Sequence, residues 1–118
     1  MPSLAGGWTT PNGAGRYTFV DDGKKIAIMA GTAPNWSGLG FLERAAPERS
    51  MQGQLTVRGC WYRLTVEASE DFSRLTVTSY MNYKKSSRSC LSVLNKDALR
   101  TAKRTGEVPP SMFTLLRR

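Results

Sequence analysis

The stretch from Gln54 to Val93, QLTVRGCWYRLTVEASEDFSRLTVTSYMNYKKSSRSCLSV, decides the fold because one short phrase recurs in it. The same tripeptide occurs as Leu55-Thr56-Val57, Leu64-Thr65-Val66 and Leu75-Thr76-Val77, and a softened fourth copy is Leu91-Ser92-Val93. Each copy alternates apolar and polar side chains, which is typical of a half-buried β-strand. Spacings of 9, 11 and 16 residues are too irregular for a solenoid repeat. We therefore interpret the copies as successive strands of one antiparallel sheet, with Leu and Val inward and Thr outward.

Turn signals divide the chain on both sides of this stretch. Asn-Gly within residues 11–15 and Asp-Gly within residues 21–23 are hairpin dipeptides, because they supply the positive φ that tight turns need. We expect a loop over residues 31–38, where Gly, Pro and Ser are concentrated, and a return to strand over residues 90–94. About eight or nine short strands at spacings of roughly 8 to 12 residues favour an all-β barrel or sandwich.

The C-terminal third contains the one predicted helix. Asn95 is a good N-cap, and Gly106 fits the residue that follows a helix. Between them, residues 96–105 place small and apolar side chains on one face and basic side chains on the other. We therefore expect an amphipathic helix at about 95–105 and a C-terminal strand at about 111–117.

This last strand decides whether the sheet closes. A strand that follows a helix alone would leave an unpaired edge, whereas pairing with the first strand, which carries Trp8, removes both edges. We predict that residues 1–118 form a single all-β domain. Its architecture is a small antiparallel, up-and-down β-barrel of about eight strands with one short amphipathic helix before the last strand.

The composition excludes several kinds of active site. The chain of 118 residues has no histidine, which rules out Ser-His-Asp and Cys-His sites and every zinc site with a histidine ligand. Two cysteines cannot form a four-thiolate zinc site within one chain. The glycine-rich segments lack the lysine and the helix that a phosphate-binding loop requires. Catalysis by carboxylates or lysine is the alternative that this composition leaves. We expect a non-catalytic protein with no cofactor and no bound metal.

Cys60 and Cys90 bracket the middle of the repeated phrase. A bridge between them would close a loop of about 30 residues and contribute roughly 3.5 kcal/mol to stability. The alternative is two buried thiols in a cytosolic protein. Strand phase does not decide between them, since Cys60 shares the parity of Leu64 whereas Cys90 opposes Leu91. We expect the disulfide, and with it a secreted or periplasmic protein, although no signal-peptide pattern is visible.

Positive charge is concentrated in the last third of the chain. Residues 1–83 hold 8 Lys+Arg and 7 Asp+Glu, whereas residues 84–118 hold 9 Lys+Arg and 2 Asp+Glu. One interpretation is a face for nucleic acid, anionic lipid or an acidic protein, with Tyr80 and Tyr83 as a stacking platform for single strands. The alternative is a solvated helix face and a solvated loop. The candidate residues form a loop set and a helix set: Tyr83, Lys84, Lys85 and Arg88, then Lys96, Arg100, Lys103 and Arg104.

The three tryptophans have different expected roles. Trp8 and Trp61 lie in predicted strands, and we expect both in the core. Trp36 lies in the predicted loop, where an aromatic side chain can reach a partner or a ligand at a barrel mouth. We therefore take Asn35, Trp36 and Phe41 as the first contact candidates.

Gly6-Gly7-Trp8 on the first strand, together with Arg117 on the last, resembles the Gly-x-Trp and arginine pair of calycin-type barrels. That superfamily includes lipocalins, avidins and the bacterial secreted metalloprotease inhibitors. Leu4-Ala5-Gly6-Gly7-Trp8 and Phe113-Thr114-Leu115-Leu116-Arg117 are similar to the short inhibitors. The resemblance implies that Trp8 closes the barrel base and that Arg117 packs across it. The segment before Trp8 is short for a protease-blocking arm, so the resemblance supports the barrel more than it supports inhibition.

These observations together predict a binding protein. We expect it to engage a protein partner, with enzyme inhibition as the sharpest version, or a small ligand at the barrel mouth. One alternative is a basic barrel that binds nucleic acid or another polyanion through residues 80–104. A second alternative is an accessory subunit of an envelope assembly. No apolar run approaches the roughly 20 residues that span a bilayer, so we expect no transmembrane segment.

Overall fold

Eight antiparallel strands close into a barrel in the computed structural model, which describes residues 2–45 and 48–118. The strands follow one another around the barrel: β1 (Gly6–Thr9), β2 (Arg16–Asp21), β3 (Lys25–Thr32), β4 (Asn35–Ala45), β5 (Ser50–Val57), β6 (Cys60–Ala68), β7 (Arg74–Met81) and β8 (Ser111–Arg117). Two helices, α1 (Arg88–Leu91) and α2 (Lys96–Thr105), lie between β7 and β8. The predicted all-β, up-and-down barrel with a helix before its last strand is confirmed. Within the described residues, no helix is long and apolar enough to cross a membrane.

The barrel closes where the prediction placed the closure, between the first and last strands. Trp8 pairs with Arg117 and Thr9 with Leu116, so β1 and β8 leave no exposed edge between them. The predicted C-terminal strand at 111–117 is confirmed. The predicted helix is confirmed as well, with Asn95 as its N-cap and Gly106 in the left-handed conformation at its end.

Three copies of the Leu-Thr-Val phrase form inward-facing rows in β5, β6 and β7. Leu64, Val66, Leu75 and Val77 are at most 2% exposed, and Leu55 is 5% exposed. The threonines at the alternate positions face outward, because successive strand residues point to opposite sides of a sheet. These strands therefore supply much of the barrel interior.

The prediction that the fourth copy forms a strand is wrong. Cys90 and Leu91 belong to the short helix α1, and Val93 is 79% exposed in the turn that follows. The side chain of Ser87 accepts a hydrogen bond from the Cys90 amide, which caps the helix. The barrel is already complete with eight strands, so residues 90–94 have no neighbouring strand to pair with. An alternation over three residues does not reveal whether a neighbouring strand is free to pair.

The predicted loop over residues 31–38 is wrong too. Strand β3 runs to Thr32 and β4 begins at Asn35, so only Ala33 and Pro34 connect them, and a bulge lies between Ala30 and Gly31. The glycines in this region are strand residues rather than loop residues. Gly31 has a positive φ of 97° at the bulge in β3, whereas Gly38 lies in β4, where a Cβ would be 2.9 Å from the Thr56 carbonyl oxygen because β4 packs closely against β5.

Gly40 in β4 and Gly53 in β5 mark this close packing. A Cβ on Gly40 would lie 2.0 Å from the carbonyl oxygen of Gln54, and a Cβ on Gly53 would lie 1.9 Å from the carbonyl oxygen of Phe41. Both are well inside any van der Waals contact, so only glycine fits at either position. Phe41 pairs directly with Gln54, and this pair belongs to the outer face.

The two ends of the barrel differ in the segments that they carry. One, the base end, holds the N-terminal segment, the β2–β3, β4–β5 and β6–β7 connections and the end of β8. The other, the mouth end, holds the β1–β2, β3–β4 and β5–β6 turns and the long connection that carries α1 and α2.

Trp8 fills the base end. Its side chain is fully buried, and its indole nitrogen donates a hydrogen bond of 2.9 Å to the carbonyl oxygen of Leu4. The guanidinium of Arg117 lies 4.5 Å from the centre of the Trp8 ring and donates to the carbonyl oxygens of Phe72 and Ala5. The base is thus closed by a tryptophan with an arginine packed across it, a cation–π arrangement.

Candidate ligand-binding site

The mouth end contains a cavity of about 360 Å³ inside the barrel. Its walls come from the upper parts of five strands, and its cover comes from the connection between β7 and β8. Most of the lining is apolar. The lining residues are Tyr17, Leu55, Val57, Tyr62, Leu64, Ser79, Met81, Leu94, Val108, Pro109, Ser111 and Phe113.

Aromatic rings form one side of this mouth cavity. Tyr17 and Phe113 stack with their ring centres 5.9 Å apart and an interplanar angle of 18°. Burial raises the pKa of the Tyr17 phenol, and the nearby Tyr62 raises it further. Burial likewise raises the pKa of Tyr62. Both phenols therefore stay protonated through the neutral range and can donate a hydrogen bond within a mostly apolar space.

The cover of the cavity is held down by a disulfide. Cys60, at the start of β6, is bonded to Cys90 in α1, with the two Cα atoms 5.4 Å apart. The predicted bridge is confirmed. Two hydrogen bonds reinforce it, since the Ser86 hydroxyl accepts from the Trp61 amide at 3.0 Å and the Ser87 amide donates to the Gly59 carbonyl at 2.9 Å. Helix α1 is therefore fixed to the β5–β6 turn.

Backbone contacts anchor the rest of the cover. The Tyr83 amide donates to the carbonyl of Gly106 at 2.9 Å, and the Val108 amide donates to the carbonyl of Met81 at 2.9 Å. The connection thus leaves and re-enters the barrel at one place. Leu94 before α2 and Val108 after it are the parts of the cover that line the cavity.

A second concave surface lies outside the barrel wall, on β4, β5 and β6, with a volume of about 490 Å³. We call it the outer groove. It brings together Phe41 and Lys85, which belong to different predicted sets, around Trp61. The Lys85 ammonium lies 5.2 Å from the centre of the Trp61 ring. Gln52 and Gln54 complete its polar wall.

Trp61 in this groove corrects the prediction of a core tryptophan. Its strand neighbours Tyr62 and Leu64 line the mouth cavity, and Trp61 has the opposite parity to Leu64. It therefore faces outward and is only partly buried. A large aromatic side chain in a strand predicts burial but does not identify which face of the strand is buried.

An ion pair between β6 and the segment after α2 lines the outer groove. Arg63 donates to both carboxylate oxygens of Glu107, each at 3.0 Å, and this pairing holds the pKa of Glu107 below its usual range. The Arg63 guanidinium also covers the Tyr80 ring, 3.9 Å from its centre. One face of Tyr80 is thus occupied by protein, which disfavours the predicted stacking of nucleic-acid bases there.

The other predicted contact residues are spread along the mouth end. Asn35 is exposed and Trp36 is partly buried at the start of β4, and neither lines the mouth cavity or the outer groove. In the cover, Tyr83 is partly buried. The charged candidates of the cover are all exposed: Lys84, Lys85, Arg88, Lys96, Arg100, Lys103 and Arg104.

Residues that sequence reasoning missed supply most of the mouth cavity. Tyr17, Tyr62 and Phe113 lie in predicted strands, but nothing in their local pattern distinguishes cavity lining from packed core. Strand parity gives part of the signal, because Tyr62 shares the inward parity of Leu64 and Phe113 that of Leu115. The position of these side chains near the mouth ends of their strands gives the rest.

Comparisons with known proteins add no relative: no protein-family model matches the chain, and neither curated proteins nor solved structures give a match.

Proposed function

We propose that this protein is a non-catalytic binding protein that holds a small apolar molecule in its mouth cavity. The observation that carries the proposal is the division of the barrel interior. The base half is filled by fully buried side chains such as Trp8, Ile26 and Leu42, whereas the mouth half has an apolar-lined space of about 360 Å³. A packed half and an open half in one barrel support a site rather than a defect of packing.

The size and chemistry of the cavity support a compact ligand. Its volume falls at the lower end of the range of about 300–1,000 Å³ for small-molecule sites. Apolar walls favour a hydrocarbon or aromatic body, and the protonated phenols of Tyr17 and Tyr62 suit one acceptor atom on it. The ligand class we propose is therefore a small apolar molecule with at most one or two polar atoms.

We also propose that the protein is exported from the cytosol and that its barrel is calycin-like. The Cys60–Cys90 disulfide supports a secreted or periplasmic location, because such bonds persist in oxidising compartments. The Gly-x-Trp segment on β1 and the packing of Arg117 over Trp8 support a calycin-like barrel, in which a ligand at the open end is the expected arrangement.

A second candidate function is protein binding at the outer groove. Phe41 is 50% exposed there and lines the groove together with the partly buried Trp61, and the next outward residue of β4, Leu39, is 60% exposed. Exposed apolar and aromatic side chains next to polar groups are typical of protein contact surfaces. An enzyme to be inhibited and a subunit of an envelope assembly are the two kinds of partner to test.

Ligand binding is tested by a substitution in the cover that places a larger side chain in the cavity. Leu94 lines the cavity and its neighbour Val93 is 79% exposed, so Leu94→Trp and Val93→Trp form a matched pair. Binding is measured by the fluorescence of N-phenyl-1-naphthylamine, a neutral apolar probe. We expect saturable binding to the parent and to Val93→Trp, and loss of binding in Leu94→Trp. Equal binding to both variants, or no binding to the parent, would overturn the proposal.

A test of the second candidate uses the outer groove alone. Phe41→Ser and Leu39→Ser remove the exposed apolar side chains, and the mouth cavity stays intact. We expect the parent protein to retain a partner and the two variants to lose it. Probe binding should be the same in all three proteins. Retention by both variants would contradict a contact at this surface.

A further inference from the structure

The fold places the whole net charge of the molecule at one end. Of the 17 Lys and Arg residues, nine lie at the mouth end and all nine are exposed. We call them the mouth cations: Arg16, Arg58, Lys84, Lys85, Arg88, Lys96, Arg100, Lys103 and Arg104. The base end holds seven cations and seven acids, which balance. The remaining pair, Arg63 and Glu107, is an ion pair on the wall.

Among the described residues, Asp97 is the one acidic side chain that lies with the mouth cations, apart from the paired Glu107. It lies 3.6 Å from the Arg100 guanidinium, and both side chains are largely exposed. This single exposed ion pair contributes little, so the net charge of +8 faces solvent at the mouth. The sequence alone shows part of this excess, but Arg16 and Arg58 join it only through the topology of the barrel.

An exposed apolar side chain lies within this basic surface. Val93, in the turn between α1 and α2, is 79% exposed, although its neighbour Leu94 lines the cavity. Helix α2 turns Ala102 into the protein and presents Lys96, Lys103 and Arg104 outward. A basic surface that includes an exposed apolar residue, next in sequence to a residue that lines an apolar cavity, is complementary to an anionic lipid surface.

We infer that the mouth end docks on the surface of a bilayer that contains anionic lipid. The mouth cations bind the headgroups, Val93 contacts the acyl boundary, and the cavity opening faces the bilayer. Exchange of an apolar ligand between membrane and cavity rests on the proposed function, whereas docking itself rests on the charge distribution. The neutral base end faces away from the membrane in this orientation.

Nucleic acid fits the same surface less well. Single-stranded nucleic acid is bound by free aromatic faces together with cations, but Arg63 covers Tyr80 and Lys85 lies over Trp61. Neither the exposed Val93 nor the apolar opening has a role in binding phosphates. The lipid surface accounts for the cations, the apolar residue and the cavity together.

The experiment compares two variants of equal net charge. The mouth variant carries Lys96→Gln, Arg100→Gln, Lys103→Gln and Arg104→Gln in α2. The base variant carries Lys24→Gln, Lys25→Gln, Arg49→Gln and Arg74→Gln, which are exposed residues at the opposite end. Each is sedimented with vesicles of phosphatidylcholine alone or of equal parts phosphatidylcholine and phosphatidylglycerol, at low and at high salt.

We expect the parent and the base variant to bind the phosphatidylglycerol vesicles at low salt and to leave them at high salt. The mouth variant should bind roughly 1,000-fold more weakly, because each of its four lost cations contributes about 1 kcal/mol. Val93→Ser should weaken vesicle binding several-fold and leave its salt dependence unchanged. Equal loss in the mouth and base variants, or no binding of the parent at low salt, would overturn the inference.

Two further arms separate docking from ligand binding and from polyanion binding. Leu94→Trp fills the cavity, so vesicle binding by this variant without probe binding supports docking independently of the proposed ligand function. An oligonucleotide that binds the parent more tightly than the vesicles do, with Val93→Ser unchanged in both assays, would overturn lipid docking in favour of a polyanion.

Discussion

The base and the mouth of this barrel are built from the same strands but differ in packing and charge. The base holds a fully buried tryptophan, an arginine packed across it and an equal number of cations and acids. The mouth holds an apolar cavity of about 360 Å³, a disulfide-tethered cover and nine exposed cations. Under the proposed function, stability depends mainly on the base and ligand binding on the mouth, so mutations at the two ends should affect different measurements.

The largest expected effect comes from the base. Trp8→Ala removes a fully buried indole and its hydrogen bond to Leu4, and it leaves a large void. We expect a loss of about 3–5 kcal/mol in the free energy of unfolding, measured by urea denaturation. Phe113→Ala at the mouth, which lines an existing cavity, is the control and should cost clearly less. An equal loss in both variants would remove the distinction between the two ends.

Loss of the disulfide is next in size. Cys60→Ser combined with Cys90→Ser opens a loop with a sequence separation of 30 residues and frees α1 from the β5–β6 turn. We expect a loss of roughly 3.5 kcal/mol on the chain-entropy model. Hydrogen exchange should rise most in residues 83–94, whereas around Trp8 it should rise only as far as the lower global stability requires. A larger rise at the base than in residues 83–94 would contradict a role of the bridge that is local to the mouth.

A buried carboxylate gives the base a pH dependence of its own. Burial would raise the pKa of Asp21, but hydrogen bonds from the amides of Leu4 and Gly23 and from Arg44 outweigh burial and lower it. The Asp21 side chain is 1% exposed.

Because the folded pKa of Asp21 lies below the unfolded one, its stabilisation is present above the unfolded pKa and is lost as the pH falls through the folded pKa. We expect Asp21→Asn to cost about 2 kcal/mol at pH 7 and less at low pH. Urea denaturation across the acid range is the measurement. The same cost at every pH would show that the Asp21 charge has no part in it.

The smallest expected change in stability is at the mouth. Tyr62→Phe removes a hydroxyl from the cavity wall without changing the ring, and we expect the free energy of unfolding to change by less than about 0.5 kcal/mol. A probe with one acceptor atom should nevertheless bind more weakly to this variant, whereas a pure hydrocarbon should bind unchanged. Equal affinities for both probes would show that the Tyr62 hydroxyl does not contact the ligand.

Sequence patterns predicted the strands and the helix because their determinants are local, and closure followed because an unpaired last strand would leave an exposed edge. The Leu-Thr-Val copies at 55–57, 64–66 and 75–77 set the inward faces of three strands, and Asn95 and Gly106 bound helix α2. The wrong predictions concern residues whose structure depends on the elements packed around them. Residues 90–94 alternate like a strand but meet no free edge, and Trp61 is aromatic but lies on the outward parity of β6.

The candidate site was less predictable than the fold. The mouth cavity is formed by what the side chains of β2, β5, β6, β7 and β8 leave unfilled, and an unfilled volume has no pattern in one dimension. The sequence shows seven of the nine mouth cations together in residues 84–118. Arg16 and Arg58 lie far from that segment in sequence and reach the same end only because antiparallel strands return there.

The most direct test of ligand binding at the mouth is a map of where an apolar ligand binds. Methyl NMR spectra of the parent protein, titrated with N-phenyl-1-naphthylamine, report on both ends of the barrel at once. We predict saturable shifts at the mouth methyls of Leu55, Val57, Leu64 and Leu94, with Ile26 and Leu42 at the base unchanged. Shifts confined to Leu39 beside the outer groove, or no saturable shift at the mouth, would contradict binding in the mouth cavity.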